Sequence, residues 1–190
     1  KQFLWKTIAP LANFIFKKIL MSTFIETNLE KIASLAEKRQ DENYRFRTFL
    51  KNRDNKKTDQ VVHRLNDEIS AQIDCTTCGN CCKTYMISLE KADITRLSGF
   101  LGITDEECMS KYLEVSQEER TIIFNKIPCH FLCENKCTVY AARPEDCRSY
   151  PHLHNENFTS RLYGVISNYA VCPIVFNVFE RLKDEMRFRR

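Results

Sequence analysis

The chain has 190 residues, with 29 basic against 25 acidic side chains and a net charge of +4. That length is enough for one domain with its own hydrophobic core, so neither disulfides nor metal is needed merely to fold it. So small a surplus leaves no electrostatic footprint for nucleic acid, and 28% charged with 43% hydrophobic residues is ordinary globular composition.

Ten cysteines are not ordinary. The first twenty residues, KQFLWKTIAPLANFIFKKIL, break their apolar character with Lys6, Pro10, Lys17 and Lys18, and no small-residue cleavage site follows. The sequence also lacks any apolar run of about eighteen residues, the length a membrane-spanning helix requires. The expectation is a cytoplasmic chain with reduced thiols, and clustered thiols there bind metal or do redox chemistry.

In chain order, residues 1–21 form a basic amphipathic segment, with Leu4, Ile8, Leu11, Ile15 and Ile19 on one helical face. It reads as a helix docked on the core, and the alternative is a helix lying on a membrane surface through residues 1–20. Met21-Ser22 has the form of a natural start, which makes the first twenty residues readable as upstream or added sequence. Residues 22–73 are a helical lead-in. From residue 26 the segment is free of Gly and Pro, and it carries Leu29, Ile32, Leu35 and Ala36, then Val61, Val62, Leu65, Ile69 and Ile73, at helical spacing. The polar run at 51–57 between them is expected to be a solvated turn.

Residues 74–190 are the cysteine-cluster region. Residues 85–89 and 122–124 have the composition of short strands. Residues 90–100 and 104–112 read as two short helices split by Gly99 and Gly102, the second opened by Thr104 as N-cap with acids in its first turn. Residues 129–147 read as loops, and 159–170 carry no decisive pattern. Residues 174–190 read as a terminal helix with Val175, Val178, Phe179 and Leu182 inward. The predicted fold class is mainly α: one small helical domain with irregular cysteine-rich loops and two short strands around a metal centre.

The chemistry lies in the cysteine spacing. Cys75-Thr-Thr-Cys78-Gly-Asn-Cys81-Cys82 places three thiols at two-residue intervals, which lets a tight turn wrap them round one centre. That is the spacing of the first three ligands in bacterial ferredoxins, where the remote fourth ligand precedes a proline, as Cys172 precedes Pro173 here. Gly79 fits a turn whose amides face sulfur. Cys82 departs from the ferredoxin run; adjacent cysteines diverge, so it bridges, serves a second metal or exchanges electrons. The second block, from Pro128-Cys129 through Cys133, Cys137 and Cys147 to Pro151, adds three or four thiols. Arg143 and Arg148 flank Cys147 and are positioned to offset thiolate charge at a bound cofactor, with an ordinary surface ion pair as the alternative for each. Zinc is the rival to iron–sulfur, because C-x2-C suits both and eight thiols make two tetrathiolate zinc sites. Cys108 reads as a small core hydrophobe, Cys133 is ambiguous, and His63, His130, His152 and His154 are left out of the ligand set. Asp74 reads as a cap or turn former.

The joint pattern C-x2-C-x2-C-C, then P-C…C-x-V-Y…R-P-x-x-C-R-x-Y-P, then C-P, resembles the CxxCxxCC (YkgJ-like) zinc- or iron-chelating cysteine-cluster family across about residues 73–182. The resemblance implies a metal site made by Cys75, Cys78, Cys81, Cys82, Cys129, Cys137, Cys147 and Cys172. A similar cysteine domain occurs in the flagellin lysine N-methylases, whose implied chemistry is an iron–sulfur cluster acting with S-adenosylmethionine. This chain lacks the C-x3-C-x2-C spacing of radical S-adenosylmethionine enzymes and any Gly-rich nucleotide loop. The expected function is therefore a protein holding an iron–sulfur cluster, of the 4Fe-4S type, for redox chemistry, sensing or metal handling. The alternatives are a zinc-stabilised interaction protein with a protein partner, and a cluster enzyme acting with S-adenosylmethionine. No catalytic set is identifiable.

Overall fold

The computed structural model describes residues 24–118 and 120–189; the amphipathic segment at 1–21 and the Met21-Ser22 start lie outside them. The lead-in folds as three helices, α1 (Leu29–Lys38), α2 (Gln40–Lys51) and α3 (Asn55–Ser70). The helix starts follow from short polar caps. The Asn28 side chain accepts from the Lys31 amide at 2.9 Å, and Asp54 from the Lys57 amide at 2.7 Å. The polar run at 51–57 contains the expected break, since α2 ends at Lys51 and α3 starts at Asn55. A second break, at Arg39, was not signalled by any Gly or Pro. Arg39 leaves helical geometry while its guanidinium reaches Glu180 at 2.5 Å, a tertiary contact.

The cysteine block that follows is not an open loop. It forms two one-turn helices, α4 (Cys75–Cys78) and α5 (Asn80–Thr84), joined at Gly79. After it come β1 (Ser88–Leu89), α6 (Lys91–Leu101), α7 (Asp105–Tyr112), β2 (Leu113–Val115) and β3 (Ile122–Phe124). The two segments predicted as strands are partners. β1 and β2 both pair antiparallel with β3, in the order β1-β3-β2. Gly102 ends α6 in the left-handed conformation that favours glycine, whereas Gly99, predicted as part of the break, sits inside the helix. Thr104 and Glu107 form the reciprocal cap that starts α7. A small hairpin, β4 (Leu132–Cys133) with β5 (Lys136–Cys137), leads to α8 (Glu145–Ser149), α9 (Leu162–Tyr169) and α10 (Pro173–Glu185). The undecided stretch at 159–170 is thus largely helix. Pro173 at the first position of α10 costs no hydrogen bond there and fixes the entry.

Two apolar clusters result. In the first, α10 lies on α3 and is flanked by α1, α2 and α9, burying Ile32, Phe46, Leu65, Phe158, Phe179 and Leu182. Val175, Val178, Phe179 and Leu182 all point inward, as their helical spacing predicts. The Phe46 and Phe179 rings meet edge-on at 5.1 Å. Lys183 is fully buried among them, and its ammonium donates to Glu42 at 2.8 Å, Asn43 at 2.6 Å and Glu180 at 2.6 Å. The second cluster gathers Leu89, Ile94, Leu97, Cys108, Leu113, Phe124, Phe131 and Val139 from α6, α7 and the three-stranded sheet. Cys108 is wholly enclosed there, as a small apolar residue. Among the described residues no single helix is long and apolar enough to cross a membrane.

Candidate metal centre

The first block is positioned by its turn. Asp74 caps α4, accepting from the Thr76 amide at 2.8 Å. Gly79 then reverses the chain at φ +61°, and a methyl group on it would lie 2.8 Å from the Asn135 carbonyl oxygen. Glycine is thus required twice over, for its backbone angle and for the close approach of the β4–β5 turn. Asn80 ties the block to the far end of the chain, its amide donating to the Val171 carbonyl at 2.8 Å, beside Cys172. The Cys129 amide donates to the Cys82 carbonyl at 2.8 Å, which docks the second block on the first. Cys147 rides on α8, and the Glu145 amide anchors that helix to buried Asp93 at 3.0 Å.

These ties bring Cys75, Cys78, Cys81, Cys82, Cys129, Cys137, Cys147 and Cys172 to the wall of one cavity of about 350 Å³. All eight are unpaired thiols, as are Cys108 and Cys133. Cys75 is exposed and Cys172 buried, so the thiols run from the surface inward. Cys133 is exposed on β4 and does not line the cavity, and Cys108 lies in the second core. Among the described residues, no three His, Cys, Asp or Glu side chains already stand as a cage for a single ion. The thiols ring a space rather than converge on a point.

Charge is the controlling quantity. Burial pushes the Cys147 thiol up to about 12, with Cys82, Cys129 and Cys137 adding to it. Burial likewise pushes Cys172 up to about 12, against amide hydrogen bonds from Val175 and Ile174. Burial also raises Cys75, Cys129 and Cys137. Cys81 and Cys82 share a hydrogen bond with their sulfurs 4.0 Å apart. That bond pushes Cys81 up and holds Cys82 down at about 7, where Arg143 helps. The thiols that burial pushes up stay protonated on their own, and a bound cation reverses that preference by deprotonating its ligands. The donor set therefore fits a thiolate-bound metal.

The two arginines differ. Arg143 lines the cavity, stacks 3.8 Å over the Tyr140 ring and bears electrostatically on Cys82, Cys75 and Cys137. Arg148 also lines it, but its guanidinium donates to the Arg143 carbonyl at 3.0 Å and the Ala141 carbonyl at 2.7 Å, so it braces the loop that carries Arg143. His154 reaches the cavity wall, whereas His130 bonds Asn125 at 2.6 Å and His152 lies 3.2 Å from Asp146. Sequence reasoning overlooked two tyrosines. Tyr85 and Tyr150 both line the cavity, and the Tyr150 hydroxyl donates to Asn168 Oδ1 at 3.5 Å. Tyr150 stood inside the R-x-Y-P string, the one signal that could have drawn attention to it. Tyr85 carried no signal beyond being next in a strand-like run.

Comparison with known proteins agrees with this geometry. Residues 74–163 match the family model CxxCxxCC, described as "Putative zinc- or iron-chelating domain". No curated protein and no solved structure matches the chain. The match begins one residue before the first cavity thiol and spans seven of the eight, with Cys172 beyond its end. Residues 74–163 of this chain are thus similar to the CxxCxxCC family, and the thiol-lined cavity is the feature that a zinc- or iron-chelating description fits.

Proposed function

We propose that the cavity thiols hold iron as an iron–sulfur cluster, and that the protein serves redox chemistry, sensing or metal handling. The observation that carries this reading is the width of the thiol ring. Eight thiols line about 350 Å³, and no three donors among the described residues form a single-ion cage. Zinc draws four thiolates to about 2.3 Å of one point. A cluster bridged by sulfide reaches ligands spread around a larger space, and when bound it supplies one-electron chemistry at a potential set by charge, hydrogen bonds and exposure.

The chain's own groups suit that tuning. The cysteines are the ligand candidates, the Arg143 guanidinium offsets thiolate charge, and the Tyr85 and Tyr150 rings form part of the cavity wall. The reading requires a compartment that keeps thiols reduced, consistent with ten unpaired cysteines.

Purification without oxygen tests it. The expected product is coloured, absorbs broadly in the visible and contains iron and sulfide in equal amounts. Cys75→Ser should cost cluster iron, while Cys108→Ser should leave iron content unchanged. A colourless protein with stoichiometric zinc and no sulfide under those conditions overturns the iron–sulfur reading.

A further inference from the structure

The eight cavity thiols differ in what holds them. Cys172 belongs to the helical core beneath α10, whereas Cys129 and Cys137 pack on the second apolar cluster. The first block reaches both. Asn80 binds the Val171 carbonyl at 2.8 Å, which sets Cys81 toward Cys172. The Cys82 carbonyl takes the Cys129 amide at 2.8 Å, which sets Cys82 toward the second block. Cys81 and Cys82 sit side by side on α5, where successive side chains diverge by about 100°. Their sulfurs stay 4.0 Å apart, so the pair forms the seam between the two sides.

We infer that the eight thiols make two four-thiolate centres in the one cavity, Cys75, Cys78, Cys81 and Cys172 in the first and Cys82, Cys129, Cys137 and Cys147 in the second. This rests on the metal-binding reading above and deepens it. The first set reproduces the ferredoxin arrangement, three thiols at two-residue spacing and a remote one before Pro173. The second set is the remainder, and its members come from α5, the β4–β5 region and α8. Electrostatic neighbours divide the same way. Cys129, Cys137 and Cys147 each feel Cys82, while Cys75 feels Cys78, and Cys172 feels Cys75. The influences that cross are the Cys81–Cys82 hydrogen bond, with sulfurs 4.0 Å apart, and the effect of Cys147 on Cys81, all at the seam where the sets adjoin. Tyr85 and Tyr150 lie with the first set, both influenced by Cys172 and Cys81.

Cobalt(II) added to the full-length, metal-free chain without oxygen is the probe, read by thiolate-to-cobalt charge-transfer absorbance. Saturation is expected at two equivalents, and Cys172→Ser and Cys137→Ser should each keep one. A test free of any folding defect uses the unsubstituted protein with one equivalent of cobalt, alkylated and analysed molecule by molecule by mass spectrometry. Singly loaded molecules should protect either the first set or the second. Saturation at one equivalent, or protected sets that mix Cys172 with Cys137 in singly loaded molecules, overturns the partition while leaving metal binding intact. No charge-transfer absorbance at all overturns metal binding itself.

Discussion

The helices α1–α3, α9 and α10 bury Phe46, Leu65, Phe158, Phe179 and Leu182 at 1% exposure or less. Around the cysteines the elements are helices of four or five residues and strands of two or three. The first region is held by apolar area, worth about 1.5–3 kcal/mol for each fully buried large side chain. The second has short elements that cannot nucleate or persist alone, and its cavity wall is made of thiols that repel one another once charged. One half of the molecule can therefore keep its shape from sequence-encoded packing, while the other depends on those neighbours and on what the thiols bind.

Ways to break the comparison rank by size. Phe179→Ala removes a ring wedged between Phe46 at 5.1 Å and Tyr169 at 5.6 Å. It should cost about 3–5 kcal/mol in urea unfolding and weaken both halves, since α10 carries Cys172 at its start. A mutant with near-normal stability would show that α10 is not the shared support. Lys183→Ala leaves the carboxylates of Glu42 and Glu180 in the core without their buried cation. The expected loss is of similar order, about 3–5 kcal/mol, and Lys183→Met should recover part of it by filling the space.

Gly79→Ala separates the halves. The residue must hold φ +61° and its methyl would press the Asn135 carbonyl, so a penalty of at least about 1–2 kcal/mol falls on the cysteine half. Metal occupancy should drop while hydrogen-exchange protection of α3 and α10 stays, and equal loss in both would erase the distinction. Chelation of the native protein sharpens the same contrast: exchange should rise first at residues 75–84 and 129–149, not in α3.

The smallest effect is pH-linked. Burial pushes the Glu180 carboxyl up, but Lys183, Tyr169 and Arg39 outweigh it and hold the group below its ordinary 4.5. A folded value below the unfolded one means the contribution is complete above about pH 4.5 and fades as pH falls through the depressed value. Acid should therefore unfold the wild type with a steeper loss below pH 4.5 than Glu180→Gln, measured relative to each protein's own stability at pH 7.

Much of this was legible in the sequence. Helical periodicity in a Gly- and Pro-free lead-in found the helices, because an amphipathic stripe encodes both the element and its buried face. The polar run at 51–57 marked a break, and Thr104 marked a start, because caps act within four residues. The break at Arg39 escaped, since no Gly, Pro or short polar cap marks it and the Arg39 side chain's partner, Glu180, lies 141 residues away. Gly99 misled, as glycine only weakens a helix and packing overrode it.

For the site, sequence alone determined which thiols stand in motif spacing and that Cys108, within an apolar helical pattern, stands apart, because these are local facts of residue type and interval. Tertiary structure decided the rest. It put Cys133 outside the cavity wall, gave Arg143 the field and Arg148 the bracing, added Tyr85 and Tyr150, and spread eight sulfurs around a space instead of a point. Each of those depends on contacts between segments far apart in the chain, such as Asn80 with Val171 and Cys82 with Cys129. Spacing along the chain sets which thiols can share a turn; only the fold sets which turns meet.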